Sequence, residues 1–340
     1  MTLRAPLTIE PAPHVHAGTS VAWIMLHVVI ALIPACVFAV YLFGLAALLT
    51  LLVATLSCLA AERLLQRGSA FTLADGSALV TGLIYGLTLP PALPLWMVAM
   101  GGFVAMAIGK TLFGGLGSNA FNPALVGRVF LQAAFPAAMT GAWLTPLAAE
   151  RFVTLPEATL TGPFLAPASG SYDALTGPTP LGDWKFAGGE TSTFDLALGF
   201  TSGSLGETSA LLLLLGGLYL VWVKAANWRI PAAILLTVAI CASLLHGIDP
   251  QRYPSASFML LSGGLMLGAW FMATDPVASP LSAAGCWIYG LVIGLLVVLI
   301  RLCSGQPEGV MYAILLGNAL SPHIDRWTQP RAYGAAGGGS

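Results

Sequence analysis

The sequence predicts an all-α polytopic membrane protein of about ten transmembrane helices, arranged as two inverted five-helix repeats with a periplasmic loop between them. Three observations carry this expectation. Of the 340 residues, 57% are hydrophobic and only 8% charged, with a mean hydropathy of +0.86, whereas soluble domains carry roughly 25% charge. The apolar residues fall into ten runs, and the widest gap between runs, residues 140–206, divides them five and five. An odd number of spans per half gives the two halves opposite orientation if they are structural repeats.

Taken in order, residues 1–19 contain Pro, His and Thr rather than an apolar run, and lack a small-residue cleavage site. They read as a retained cytoplasmic tail, not a signal peptide. The first repeat, residues 20–139, has apolar runs at 20–42, 45–64, 76–90, 94–113 and 122–139. A span needs about 20 apolar residues, and shorter runs broken by Gly or Pro read as discontinuous helices buried among others. Residues 140–206 form the loop. The second repeat, residues 207–320, has runs at 207–224, 230–246, 256–273, 283–301 and 308–320. Residues 321–340 read as a cytoplasmic tail whose terminal Gly337-Gly338-Gly339-Ser340 resembles a linker. With both termini in the cytoplasm, Arg4, Arg63, Arg67, Lys110, Arg128, Lys224, Arg229, Arg326 and Arg331 lie inside, while Arg151, Lys185, Arg252 and Arg301 lie outside. Cytoplasmic loops favour Lys and Arg, so nine of the 13 basic residues inside fixes the orientation.

Faint echoes link the halves. Ser77-Ala78-Leu79 resembles Ser209-Ala210-Leu211, and Gly101-Gly102 leading to Asn122-Pro123 resembles Gly263-Gly264 leading to Asp275-Pro276. The five cysteines are scattered without Cys-x-x-Cys spacing, which supports neither an iron–sulfur nor a zinc site. No dinucleotide fingerprint is present. The chain therefore offers no catalytic residue and no metal ligand of its own.

Chemistry concentrates in three places. Gly114 to Asn122 is glycine-rich and carries two amides, Asn119 and Asn122, between apolar runs. Unwound backbone of this kind lines a cavity or forms a turn in which Asn122-Pro123 caps the next helix. Amides suit the uracil-like edge of an isoalloxazine ring. Ionisable groups beside spans are functional candidates because burying them is costly. Among these, Asp75 and Glu207 open pseudo-equivalent spans and either cap helices or serve a cation or proton path. Lys110 and Glu308 lie near run ends and read as snorkelling or capping groups. His27 reads as a satisfied, inward-facing histidine. Trp23, Trp96, Trp222, Trp228 and Trp327 read as interfacial anchors. In the loop, Gly177 permits a tight turn and Pro178 and Pro180 restrict the backbone beside Thr179, which is expected to stand on a rigid, exposed loop.

The stretch Asp173-Ala174-Leu175-Thr176-Gly177-Pro178-Thr179 resembles the flavinylation motif Asp-x-x-(Ser/Thr)-Gly-x-Thr of the NqrB/RnfD family, departing at Pro178, where that pattern usually has alanine. Further matches run in family order along nearly the whole chain. They include Asp75-Gly76-Ser77-Ala78, Leu89-Pro90-Pro91, Gly114-Gly115-Leu116-Gly117-Ser118-Asn119-Ala120-Phe121-Asn122-Pro123-Ala124, Gly203-Ser204-Leu205-Gly206-Glu207-Thr208-Ser209, Ala225-Ala226-Asn227-Trp228-Arg229 and Phe271-Met272-Ala273-Thr274-Asp275-Pro276. The short tail with Pro13-His14-Val15-His16 and the extended loop before Thr179 favour the RnfD branch over the NqrB branch.

The resemblance implies a subunit of an ion-translocating electron-transport complex in the bacterial inner membrane. Thr179 would carry covalent FMN as a phosphoester, with Asp173, Thr176 and Gly177 read by a flavin transferase. A second, non-covalent flavin such as riboflavin would lie near Asn119 and Asn122. Partners would be other Rnf membrane and peripheral subunits, including iron–sulfur subunits and a second covalent-FMN subunit, with the lipid bilayer as solvent and no nucleic acid. Electron transfer would be coupled to Na+ or H+ movement. The alternatives are an NqrB-like subunit of a Na+-pumping NADH:quinone reductase, a solute channel or transporter of the inverted-repeat type, and a scaffold for redox partners.

Overall fold

The computed structural model describes residues 19–66, 73–163, 165, 179–189 and 191–329. Helices account for the regular structure among them. α1 (Val21–Phe43) and α2 (Leu45–Leu65) are joined at Gly44. Gly44 has φ +67°, and a Cβ there would lie 2.0 Å from the Arg151 carbonyl oxygen, so only glycine permits this hairpin. α3 (Ser77–Leu87), α4 (Leu95–Gly109), α5 (Pro123–Ala134) and the short α6 (Pro136–Gly141) complete the first half. The loop holds α7 (Pro180–Ala187) and α8 (Thr193–Leu198). The second half contains α9 (Ala210–Trp222), α10 (Arg229–Ile248), α11 (Ala256–Leu261), α12 (Leu265–Leu267) continuing into a π-helical turn at Gly268–Met272, α13 (Ala283–Cys303) and α14 (Val310–Thr328).

Some helix falls in each of the ten apolar runs, but among the described residues five helices are long and apolar enough to cross a membrane alone. These are α1, α2, Leu95–Phe113, α10 and α13. α3 and α9, at 11 and 13 residues, reach only about 16 and 20 Å at 1.5 Å per residue, against a hydrocarbon core of about 30 Å. Two boundaries also move. α14 continues through Pro322 to Thr328, so helix replaces the start of the tail expected from residue 321. The run at 256–273 breaks at Gly263, φ +64°.

Within each half, helices pack on near neighbours in chain order. α2 packs on α3 and α4, and α4 on α5; likewise α10 packs on α11 and α13, and α13 on α14, while α1 meets α9. Lipid gives helices no hydrophobic reason to associate, so small residues that allow close backbone approach decide the contacts. A Cβ at Gly82 of α3 would lie 2.6 Å from Thr55 Cα of α2, and one at Gly290 of α13 would lie 2.5 Å from Ala233 Cβ of α10. Gly127 of α5 would similarly meet the Gly101 carbonyl of α4 at 2.6 Å.

Unwound segments stitch the halves together. The carbonyls of Leu87, at the end of α3, and Leu89, just beyond it, accept from Gly206 and Leu205, before α9, at 2.6 and 3.1 Å. The Asn122 amide donates to the Met272 carbonyl at 3.2 Å. Backbone freed by broken helices is thus re-satisfied inside the protein, as an apolar surround requires.

Candidate functional site

Two polar regions flank this central seam. The first gathers residues whose loops the charge count assigns to one side of the membrane. Ser77, Lys110, Asn119, Asn122, Thr274 and Asp275 line a small cavity with about 80 Å³ of open space. Asn119 is buried; its Nδ2 donates to the Phe121 carbonyl at 3.2 Å and its Oδ1 has no partner among the described residues. Asn122 has less to spare. Its Oδ1 accepts from Ala124 N at 3.0 Å as the N-cap of α5, while Nδ2 holds Met272. The capping geometry and the cavity therefore coexist. Asp275 accepts from Val277 N at 3.0 Å, stopping the preceding helix. Burial pushes its carboxyl up, partly offset by backbone donors at Val277 and Ala278 and by Asn119.

Asp75 sits at the rim of this region. Its Oδ1 accepts from both the backbone N and the hydroxyl of Ser77, at 2.7 and 2.6 Å, so it caps α3. Lys110 does not snorkel, contrary to expectation. It is 2% exposed and donates to Glu62 and, at 2.5 Å, to the Ser77 hydroxyl. A lysine this deep needs a counter-charge, which Glu62 supplies. The sequence gives no hint of this role for Glu62, because a glutamate near the end of an apolar run looks able to reach water; it is fully buried.

The second region is built around Thr179. Asp173, Thr176, Gly177 and Pro178 lie outside the described residues. Thr179 itself is 6% exposed, which corrects the expected open loop. Its Oγ1 accepts from Gly182 N at 3.1 Å, capping α7, with Pro180 in the first turn. A hydroxyl recruited as a cap turns inward toward its own helix. α7 is fixed twice over: Leu181 packs with Leu196 and Phe258, and Lys185 donates to the Arg301 and Gln306 carbonyls at 2.7 and 3.1 Å. Desolvation lowers the Lys185 ammonium from its ordinary range.

Beside Thr179 opens a cleft of about 420 Å³ bordered by Arg128, Gln132, Trp143, Phe186, Gln306 and Glu308. Glu308, expected to snorkel or cap, instead pairs with the buried Arg128 at 3.5 Å. This pair also borders a third, 30 Å³ cavity that contains Ser204 and Glu207. The Ser204 hydroxyl donates to Glu207 Oε1 at 2.6 Å, which holds the half-buried Glu207 against the seam. Asp75 and Glu207 are thus not brought together; each marks its own region. His27 bonds Tyr219 at 2.6 Å across α1 and α9, consistent with a satisfied histidine.

The donor sets suit flavins. An unpartnered buried acceptor at Asn119 matches a ring N–H. The Thr179 cleft combines a guanidinium with two aromatic rings, a set suited to phosphate and a flat ring.

Comparison with known proteins places the chain among membrane redox subunits. Residues 8–334 match the NQR2, RnfD, RnfE family. The chain is 41% identical to a subunit of the proton-translocating ferredoxin:NAD(+) oxidoreductase complex of Clostridium ljungdahlii, covering 96% of each chain. It is 42% identical to the corresponding subunit of the Na(+)-translocating ferredoxin:NAD(+) oxidoreductase complex of Acetobacterium woodii, over 96% of this chain and 95% of that one. It is also 43% identical to a subunit of the ion-translocating oxidoreductase complex of Stutzerimonas stutzeri, covering 93% of each.

Proposed function

The chain belongs to the NQR2, RnfD, RnfE family, and from that premise we propose that it is the RnfD subunit of an Rnf-type ion-translocating ferredoxin:NAD oxidoreductase. Its part is to hold flavins within the membrane and to help couple electron transfer to Na+ or H+ movement; it does not catalyse the net reaction alone. The observation that carries this reading is near-full-length identity of about 40% to subunits of such complexes, joined to a buried threonine beside a cleft.

Thr179 carries FMN as a phosphoester, with Asp173, Thr176 and Gly177 as the transferase's recognition residues. Thr179 immediately precedes the first turn of α7, where the positive end of the helix dipole favours a phosphate. Asn119 and Asn122 hold a second, non-covalent flavin. When bound, these groups supply reversible electron acceptance; the chain supplies position, water exclusion and charge. The ten helical segments form two inverted repeats, with both termini cytoplasmic and Thr179 on the periplasmic side of the inner membrane. Asp75 and Glu207 serve the ion path from opposite ends. Partners are the other Rnf subunits, including iron–sulfur subunits and a second covalent-FMN subunit, with a flavin transferase during maturation.

In-gel ultraviolet fluorescence of the purified, denatured chain tests this reading against a solute transporter. Fluorescence that survives denaturation marks a flavin carrier. A dark band from cells that contain the transferase contradicts it.

A further inference from the structure

Glu62, Lys110, Ser77 and Asp75 form one unbroken hydrogen-bonded chain. Lys110 Nζ donates to Glu62 Oε1 and to Ser77 Oγ, and Ser77 Oγ donates to Asp75 Oδ1. Its inner end is a fully buried carboxylate whose second oxygen, Oε2, has no partner among the described residues. Its outer end, Asp75, is half-buried at the rim. Between them, Ser77 and Lys110 form part of the wall of the Asn119 cavity. A helix cap needs only Asp75 and Ser77, and a structural ion pair needs only Glu62 and Lys110. Joining the two through a shared hydroxyl beside a cavity serves neither purpose.

We propose that this chain is a proton-uptake relay that compensates negative charge arriving in the Asn119 cavity, with Glu62 as its terminal acceptor. This rests on the reading that the cavity holds a redox ligand. As charge arrives, a proton from water enters at Asp75. Lys110 first passes a proton to Glu62 and is left as a neutral amine; Ser77 then passes its own proton to Lys110 Nζ as it takes one from Asp75. The Ser77 hydroxyl turns from Asp75 toward Lys110 to do so. The net change is one proton gained: Glu62 becomes neutral, Lys110 remains an ammonium and Asp75 returns to its carboxylate. No electron moves through these residues. Among the described residues, the other titratable groups facing the chain are Cys58, on α2 one turn before Glu62, and Asp275, across the cavity.

The unpartnered Oε2 atom of Glu62 leaves room for a carboxyl proton at the inner end. A fixed ion pair would hold its protonation through the redox cycle. The relay changes it once per cycle, and that difference is measurable.

The test is redox-induced infrared difference spectroscopy on the assembled complex, with acid-extractable flavin measured in parallel. Reduction is expected to produce a protonated-carboxyl C=O band that Glu62→Gln removes. Ser77→Ala, which deletes the bridge without changing any charge, is expected to slow the appearance of that band at least tenfold, and Ser77→Thr to restore it. An unchanged band in Glu62→Gln, or full speed in Ser77→Ala, overturns the relay. Should Glu62→Gln fail to assemble, the Ser77 pair decides alone. Absence of extractable flavin from the wild-type complex instead removes the cavity reading, and the relay with it.

Discussion

At the scale of single residues, the cap at Thr179 and the amides at Asn119 and Asn122 separate structural from cofactor roles. Thr179→Val keeps nearly the same shape while removing the oxygen that caps α7 and the oxygen proposed to bear FMN. Loss of such a cap costs about 1 kcal/mol, but Leu181 and Lys185 still anchor the helix. The expected outcome is a normally assembled subunit without covalent flavin, read by gel fluorescence and size exclusion. The two amides should part company. Asn119→Leu removes the unpartnered acceptor in the cavity, a loss of roughly 1 to 3 kcal/mol, and should lower extractable flavin about tenfold with the fold intact. Asn122→Leu removes a helix cap and the tie to Met272, so it should lower thermal stability and both flavins together.

At the scale of elements, close packing and one kink set the architecture. Gly294→Leu is expected to disrupt the contact between α13 and α10, because even a Cβ there lies 2.7 Å from Thr237 Cβ; reduced yield of monodisperse protein measures it. Gly263→Ala strains a residue at φ +64° and drives a Cβ to 2.6 Å from Leu181, so it should loosen α7. Faster proteolysis near residues 179–189 with the rest of the chain protected is the expected readout. Helix positions were legible in the sequence because apolar runs and Gly-Pro breaks mark them directly. The shortness of α3 and α9 was less so, since apolar residues continue past the helix ends into unwound segments that other helices bury. The burial of Lys110 with Glu62 was hidden for a different reason: partners 48 positions apart leave no local spacing signal. The inward turn of Thr179 was missed because Gly and Pro around it report a turn, and the capping bond to Gly182 appears only once α7 is seen.

At the scale of the whole molecule, residues from loops that the charge count places on opposite membrane faces gather in separate regions, Lys110, Asn119 and Asp275 in one and Thr179, Gln306 and Glu308 in the other; Arg128, counted inside, is the exception, because it lies in the Thr179 cleft beside Glu308. A cysteine at the exposed Ala187, in a Cys303→Ser background, should therefore react with an impermeant thiol reagent from the periplasm, while one at the exposed Ser118 should not. Reversed labelling would invert the proposed topology. The relatives from Clostridium ljungdahlii and Acetobacterium woodii are named for different ions yet are almost equally similar to this chain. The central claim is that this fold displays a covalent flavin on Thr179. The intact mass of the chain, expressed with and without its flavin transferase, tests that most directly. One FMN-sized increment is expected only when the transferase is present, confined to the peptide containing Thr179; an unchanged mass, or an increment that persists in Thr179→Val, would contradict the claim.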